Sequence, residues 1–224
     1  YLPILIDCSA SMAATDSQTG KTRLDLAKER VSELIDNMLP DQRLSLVAVS
    51  STARRLTAFT DNQRVLKKAL TDLTVDDVPS QLEDALRMTQ ALSRTAPIKS
   101  GLFYSDGNFP REVDFELPFD LNFQLLPAAG ANIGITSFNA RKNQAGNWDV
   151  FIRIENSRQA DSPVEVELLQ DGTSIAREEV ILGSGDSQRL EFSVAADKES
   201  RLEAVLKPGS HDSLAADNRA FLTI

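Results

Sequence analysis

Oxygen donors gather in three short stretches of this sequence. Asp7-Cys8-Ser9-Ala10-Ser11 sets one carboxylate and two hydroxyls at every second residue; Ser80 adds a third hydroxyl and Asp106 a second carboxylate. Hydroxyls and carboxylates without thiolate or imidazole are hard donors, a set that suits Mg²⁺, Mn²⁺ or Ca²⁺ rather than zinc or copper. Other chemistries lack their parts. The one histidine, His211, lies among turn residues (Pro208-Gly209-Ser210-His211-Asp212), so no Ser-His-Asp or Cys-His arrangement is available. A metal-assisted phosphoryl or ester hydrolase would also begin at a strand-end aspartate. Yet no second Asp follows two residues after Asp7, and there is no Gly-rich phosphate loop. The pattern reads as a binding site and not an enzyme.

Positioning these donors falls to alternating strands and helices. Leu2–Ile6 is a continuous apolar run, as in a strand buried on both faces. Thr22 opens a helical pattern through Leu24, Ala27, Val31, Leu34, Ile35 and Met38, with Pro40 beyond its end. Arg43–Ser50 and Arg54–Phe59 read as strands joined by a hairpin turn. Asp61–Leu73 reads as a second helix with Val65, Leu66, Ala69, Leu70 and Leu73 on one face. Ser80–Arg94 is a third helix, and Ile98–Ser105 a further buried strand ending at Asp106-Gly107. Between Phe115 and Leu126 there is room for only one strand, Leu121–Leu126. Such alternation implies a Rossmann-like α/β domain with a mostly parallel sheet, and ligands in that architecture bind beyond the carboxyl ends of the strands. Asp7, Ser9, Ser11, Ser80 and Asp106 all fall at that edge.

From Ala131 the helical period disappears. Seven short segments occupy the remainder: Ile133–Phe138, Trp148–Ile154, Val164–Leu168, Ile175–Leu182, Leu190–Val194, Leu202–Leu206 and Ala220–Ile224. Trp148, Val150, Ile152 and Ile154 alternate with Asp149, Arg153 and Glu155, and turn residues punctuate the segments. Seven alternating strands fit an all-β immunoglobulin-like sandwich, with a small barrel as the rival. The 224 residues therefore divide into 1–130 and 131–224. The net charge of −9 splits as 14 basic against 18 acidic residues (−4) and 10 against 15 (−5). Neither part is basic, so a nucleic-acid partner is disfavoured. No apolar stretch is long enough to span a bilayer. With neither a basic leader nor a cleavage site before the first strand, the chain reads as a fragment cut at a domain edge, and any anchor or targeting signal would lie outside it.

The D-x-S-x-S element, with the Tyr104-Ser105-Asp106-Gly107 loop, resembles the metal-ion-dependent adhesion site of von Willebrand factor type A domains. That site takes a Thr from a second loop, and here Ser80 in Val78-Pro79-Ser80-Gln81-Leu82 fills the position without the usual glycines before it. The segment after Asp106 is short for the family, so the domain is expected to be truncated. The resemblance implies metal held by Asp7, Ser9, Ser11, Ser80 and Asp106, with an acidic side chain of a protein partner completing the shell. A narrower resemblance rests on Leu5–Met12, Thr22-Arg23-Leu24-Asp25, Gly130–Thr136 and Leu214–Ala220. These look like bacterial membrane-anchored proteins of the BatA type, related to the Bacteroides aerotolerance group, in which an A domain and an Ig-like, CARDB-like sandwich sit between transmembrane segments. It implies an extracytoplasmic, periplasmic fragment of an inner-membrane protein.

Several of these residues have a plainer role open to them. Ser80-Gln81-Leu82-Glu83 has the form of a capping box, so Ser80 could cap its helix, ligate metal, or both. Asp7 and Asp106 could be strand-end caps, but two carboxylates facing one point repel, and a cation relieves this. Ser9 and Ser11 could form only a turn. Cys8 points opposite to Asp7 along an extended strand and reads as a small buried hydrophobe. Asp76-Asp77 reads as a solvated loop, Trp148 as sandwich core, and Phe109, Phe115 and Phe119 as packing between the two domains. A structural scaffold with a disused site is the remaining reading of the whole.

Overall fold

β1 (Leu2–Asp7) is the central strand of a five-stranded sheet, buried from Pro3 to Asp7. It pairs in parallel with β2 (Leu44–Val49) on one side and β4 (Ser100–Ser105) on the other. β5 (Asp120–Leu125) lies parallel to β4, and the short β3 (Ala53–Arg55) runs antiparallel to β2, giving the order β3-β2-β1-β4-β5. The computed structural model describes residues 1–15, 19–109, 116–127, 130–196, 198–210 and 212–224. The chain divides into two units, Tyr1–Ala129 and Gly130–Ile224. Among the described residues no helix is long and apolar enough to cross a membrane.

In the first unit, alternate residues of β1 feed two apolar layers, as the period of a strand requires. Ile4 and Ile6 join Leu44 and Leu46 under α1 (Arg23–Asp36) and α2 (Gln63–Thr71), which contribute Leu24, Ala27, Val31, Ile35, Leu66 and Leu70. Leu5, Val47, Val49 and Phe103 face the opposite way, under α3 (Leu82–Ser93). α1 begins at a capping box in which the Thr22 hydroxyl accepts from Asp25 N and the Asp25 carboxylate accepts from Thr22 N. α2 begins at Asn62, whose side chain accepts from the backbone of Arg64 and Val65.

Two expectations are corrected. The strand read over Arg54–Phe59 stops at Arg55, because the Thr57 hydroxyl takes the Leu46 N–H that a longer ladder would have used. Val65, placed on the apolar face of the second helix, is 47% exposed, and α2 is anchored by the buried Leu66 and Leu70 with Ala69 packed beside them. Phe109 packs on the first unit's own core, against Phe103 and Phe123 with ring centroids 6.0 and 5.6 Å away, and Phe119 lies against the Cβ-less face of Gly101 in the same unit. Phe115 and His211 lie outside the described residues.

The second unit holds β6 (Ile133–Lys142), β7 (Trp148–Asn156), β8 (Ser162–Gln170), β9 (Thr173–Leu182), β10 (Ser187–Val194), β11 (Arg201–Pro208) and β12 (Arg219–Thr223). They form a three-stranded sheet, β10-β7-β6, and a four-stranded sheet, β12-β11-β8-β9, antiparallel throughout. This is an immunoglobulin-like sandwich. Val150, Ile152 and Ile154 of one sheet share a core with Val164, Val166, Leu168, Leu202, Ala204 and Leu206 of the other, and Trp148 packs at its margin. The β8–β9 turn uses Asp171 and Gly172 at φ 50° and 82°, the left-handed pair that a two-residue hairpin demands. Near β6, the Asn132 amide donates to Asp217 Oδ2 at 2.7 Å. Gly134 leaves the space that this carboxylate fills, since a Cβ there would lie 2.3 Å from it.

Candidate metal centre

Asp7 ends β1, and the chain then leaves the sheet and tightens into a 3₁₀ turn over Ala10–Ala13. The Asp7 carboxylate is fully buried. Its Oδ1 accepts from Ser9 N at 2.9 Å and its Oδ2 from the Ser105 hydroxyl at 2.7 Å. Burial pushes the Asp7 carboxyl above the usual carboxylate range; hydrogen bonds from Ser105 and Ser9 oppose that rise, and the nearby negative charge of Asp106 adds to it. Ser9 and Ser11 are also buried, with their hydroxyls 3.4 Å apart.

The loop before α3 is tied to this turn by its backbone. Asp76 N donates to Cys8 O at 2.7 Å, Ala10 N donates to Val78 O at 3.0 Å, and Gln81 N donates to Ser50 O at 2.8 Å. Ser80 is thus bracketed between bonds to the ends of β1 and β2, and it is only 5% exposed. Its hydroxyl is buried with no hydrogen-bond partner among the described residues. The capping box read at Ser80 does not form. Gln81 holds the cap position without a side-chain bond, and Glu83 pairs with Arg87. The bond from Gln81 N to Ser50 O starts the helix one residue late and leaves Ser80 inside the loop. Asp76 and Asp77 are exposed, in keeping with a solvated loop.

Asp106 follows β4, the neighbour of β1 in the sheet. Its Oδ1 accepts from Asn108 N at 3.1 Å. Its Oδ2 forms an ion pair with Arg23, whose same guanidinium nitrogen also donates to Ser11 O at 3.1 Å. Relief of the repulsion between Asp7 and Asp106, expected of a bound cation, therefore has a second source: the chain itself supplies a positive charge at Asp106. Ser105 and Arg23 are the two residues that sequence reasoning missed. The signal for Ser105 was its place immediately before Asp106 at a strand end; for Arg23 the sequence held none, since its partner lies 83 residues away.

Cys8 points away from the cluster into the apolar layer beneath α1, beside Met12 and Leu24. Burial, with the Asp7 charge beside it, pushes its thiol up to about 12, the opposite of what a nucleophile needs. Among the described residues, no three His, Cys, Asp or Glu side chains gather in a way that would hold a metal ion. The candidate donors on these loops are the Asp7 and Asp106 carboxylates and the Ser9, Ser11 and Ser80 hydroxyls, all oxygen, with the Ser80 hydroxyl buried and without a partner among the described residues. That donor chemistry fits a hard divalent cation.

A sequence profile of the von Willebrand factor type A domain matches residues 2–108. Over these residues the first unit is similar to von Willebrand factor type A domains. In this A domain the matched stretch carries the D-x-S-x-S loop, Ser80 and Asp106. The UPF0353 protein of Mycobacterium sp. (strain KMS) is 31% identical over 98 residues, 44% of this chain and 29% of that protein. The chain thus matches less than a third of the length of such curated relatives. Among solved structures, an aerotolerance-related membrane protein from Bacteroides fragilis is 18% identical with a TM-score of 0.45, covering 66% of this chain and 79% of that one. A CARDB domain from Pyrococcus furiosus, solved with di-metal ions, is 14% identical with a TM-score of 0.37, covering 42% of this chain and 86% of that one. The A domain followed by a β-sandwich is the arrangement that the BatA resemblance implied.

Proposed function

We propose that the A domain is a non-enzymatic, divalent-cation-dependent protein-interaction module. Asp7, Ser9, Ser11, Ser80 and Asp106 would hold Mg²⁺, with Mn²⁺ or Ca²⁺ as alternatives, and the partner is a protein that offers an acidic side chain. The observation that carries this reading is the Ser80 hydroxyl, buried without a partner among the described residues in a loop bonded to the D-x-S-x-S turn. Leaving a buried hydroxyl unmatched costs about 1–3 kcal/mol, so its retention there calls for a ligand. When bound, the cation supplies a positive point that a partner's carboxylate can complete, an oxygen–metal contact strengthened by partial desolvation. The protein's part is to aim oxygens. Ser105 and Ser9 N orient the Asp7 carboxylate, and the backbone bonds of Cys8 and Ala10 hold the Ser80 loop against it.

The resemblance of Leu5–Met12, Gly130–Thr136 and Leu214–Ala220 to BatA-type proteins supports a membrane-anchored parent, with this part on the periplasmic side of a bacterial inner membrane. The sandwich would space or orient the A domain there. The test is calorimetric titration with Mg²⁺ and Mn²⁺, followed by capture of partners from native membranes with and without chelator. Wild type should bind metal and retain a partner only in its presence, while Asp7→Ala loses both and keeps the fold. Equal capture by Asp7→Ala in chelator would refute the mechanism.

One observation favours a second reading. Arg23 already neutralises Asp106, so the cluster can stand without metal as a scaffold. The absence of both heat and thermal shift on adding Mg²⁺ or Mn²⁺ would decide for it.

A further inference from the structure

Arg23 is the first residue of α1, fixed in place by the Thr22–Asp25 capping box immediately before it. Its side chain reaches away from the helix to the sheet edge, where one nitrogen serves both Asp106 Oδ2 and the Ser11 carbonyl. The pair is largely out of water, with 18% of the Arg23 side chain and 4% of the Asp106 side chain exposed. The Arg23 Nε is buried with no partner among the described residues. A guanidinium normally spreads its donors over several acceptors. Here it gives up one of them to reach a single carboxylate and a single carbonyl, both belonging to the candidate metal loops.

A carboxylate as buried as Asp106 needs a compensating charge, because an ion stripped of water without a partner is strongly disfavoured. Asp7 meets the same problem differently, through hydrogen bonds from Ser105 and Ser9. We propose that Arg23 is a resident counter-cation of the site, which neutralises Asp106 and pins the Ser11 turn when no metal is bound, and against which an incoming divalent cation must compete. Arg23 is thus a positioning residue. It lets the A domain fold free of metal and holds metal affinity down, so that metal joins reversibly and is not locked in at folding. The competition rests on the proposed metal-binding function, whereas the neutralisation of Asp106 does not.

The experiment measures two quantities on the whole chain: thermal stability in chelator, and affinity for Mg²⁺ and Mn²⁺ by calorimetry. Removing one partner of a buried pair strands the other, so Arg23→Met should lower the metal-free melting temperature of the A domain by about 10 °C. Asp106→Asn placed on top of it should restore more than half of that loss, since no buried charge then lacks its partner. Arg23→Gln keeps a donor for Ser11 O while removing the charge, and it serves as the milder variant reading the same quantities. Both single variants should bind metal about tenfold more tightly than wild type, from loss of one competing positive charge. A purely structural Arg23 would instead leave affinity unchanged or weaken it, which would overturn the competition. A stability loss that Asp106→Asn does not recover would overturn the counter-cation itself. If wild type and variants are all silent to both metals, the metal reading falls together with the competition, and the recovery by Asp106→Asn still decides the counter-cation.

Discussion

Replacing Ser80 by alanine separates a ligand from a cap by the sign of its effect. If Ser80 capped α3, its loss would cost about 1 kcal/mol of stability. The hydroxyl instead sits buried and, among the described residues, unpartnered, a burden of about 1–3 kcal/mol that alanine removes. Allowing for the packing lost with one oxygen, Ser80→Ala should be about 1 kcal/mol more stable than wild type in chelator, a rise of roughly 3 °C for a unit of this size. In Mg²⁺ the order should reverse. A metal at about a hundred times its dissociation constant stabilises the folded state by about 2.7 kcal/mol, and a variant lacking one donor gains less. The assay is thermal unfolding followed by the far-ultraviolet helical signal, which reports the A domain because α1, α2 and α3 all lie in it. A loss of about 1 kcal/mol in chelator would restore the capping role. An unchanged response to Mg²⁺ would refute the assignment of Ser80 to the metal site.

The same geometry has other testable consequences. Cys8, buried and with its thiol pushed up to about 12, should resist alkylation in the folded protein at neutral pH and react promptly once denatured; rapid labelling of the native protein would contradict its placement. Asp217 in the sandwich is raised to about 6 from 3.8 by burial, with the Asp212 charge adding to the rise. Its unfolded form ionises first, so the sandwich should lose stability as pH rises from about 4 to 6 and hold level above that. The full shift corresponds to about 3 kcal/mol, which solvent screening of a partly exposed group reduces to about 1 kcal/mol. Asp217→Asn should lack this dependence in urea unfolding followed by the fluorescence of Trp148, the chain's one tryptophan; parallel pH profiles for the two proteins would count against it. Gly134→Ala should destabilise the sandwich by about 1–3 kcal/mol through overpacking, since its Cβ would meet Asp217 at 2.3 Å, and Asp217→Ala should recover part of the loss.

Much of the fold was legible because periodicity reports burial directly. The unbroken run at Leu2–Ile6 and the alternation at Trp148–Ile154 each match the number of faces their strands bury. Where reading failed, a local bond outweighed the pattern. Thr57 ends β3 early through its side chain, and the bond from Gln81 N to Ser50 O delays α3 past its apparent cap. Residue types and order placed Asp7, Ser9, Ser11 and Asp106 at one sheet edge, where the parallel β1 and β4 end side by side, because strand ends that share an edge are fixed by topology. Arg23 stayed hidden for a different reason. Its partner lies 83 residues away, and no spacing rule connects a helix's first residue to a loop after another strand.

The bonds from Asp76, Ala10 and Gln81 fix the separation of two loops through main-chain atoms alone. The site is therefore a socket whose frame is independent of its lining. Exchanging the side chain at position 80, for threonine or for a carboxylate, should leave the frame where it is, so in the proposed metal site one substitution would retune the preference among cations.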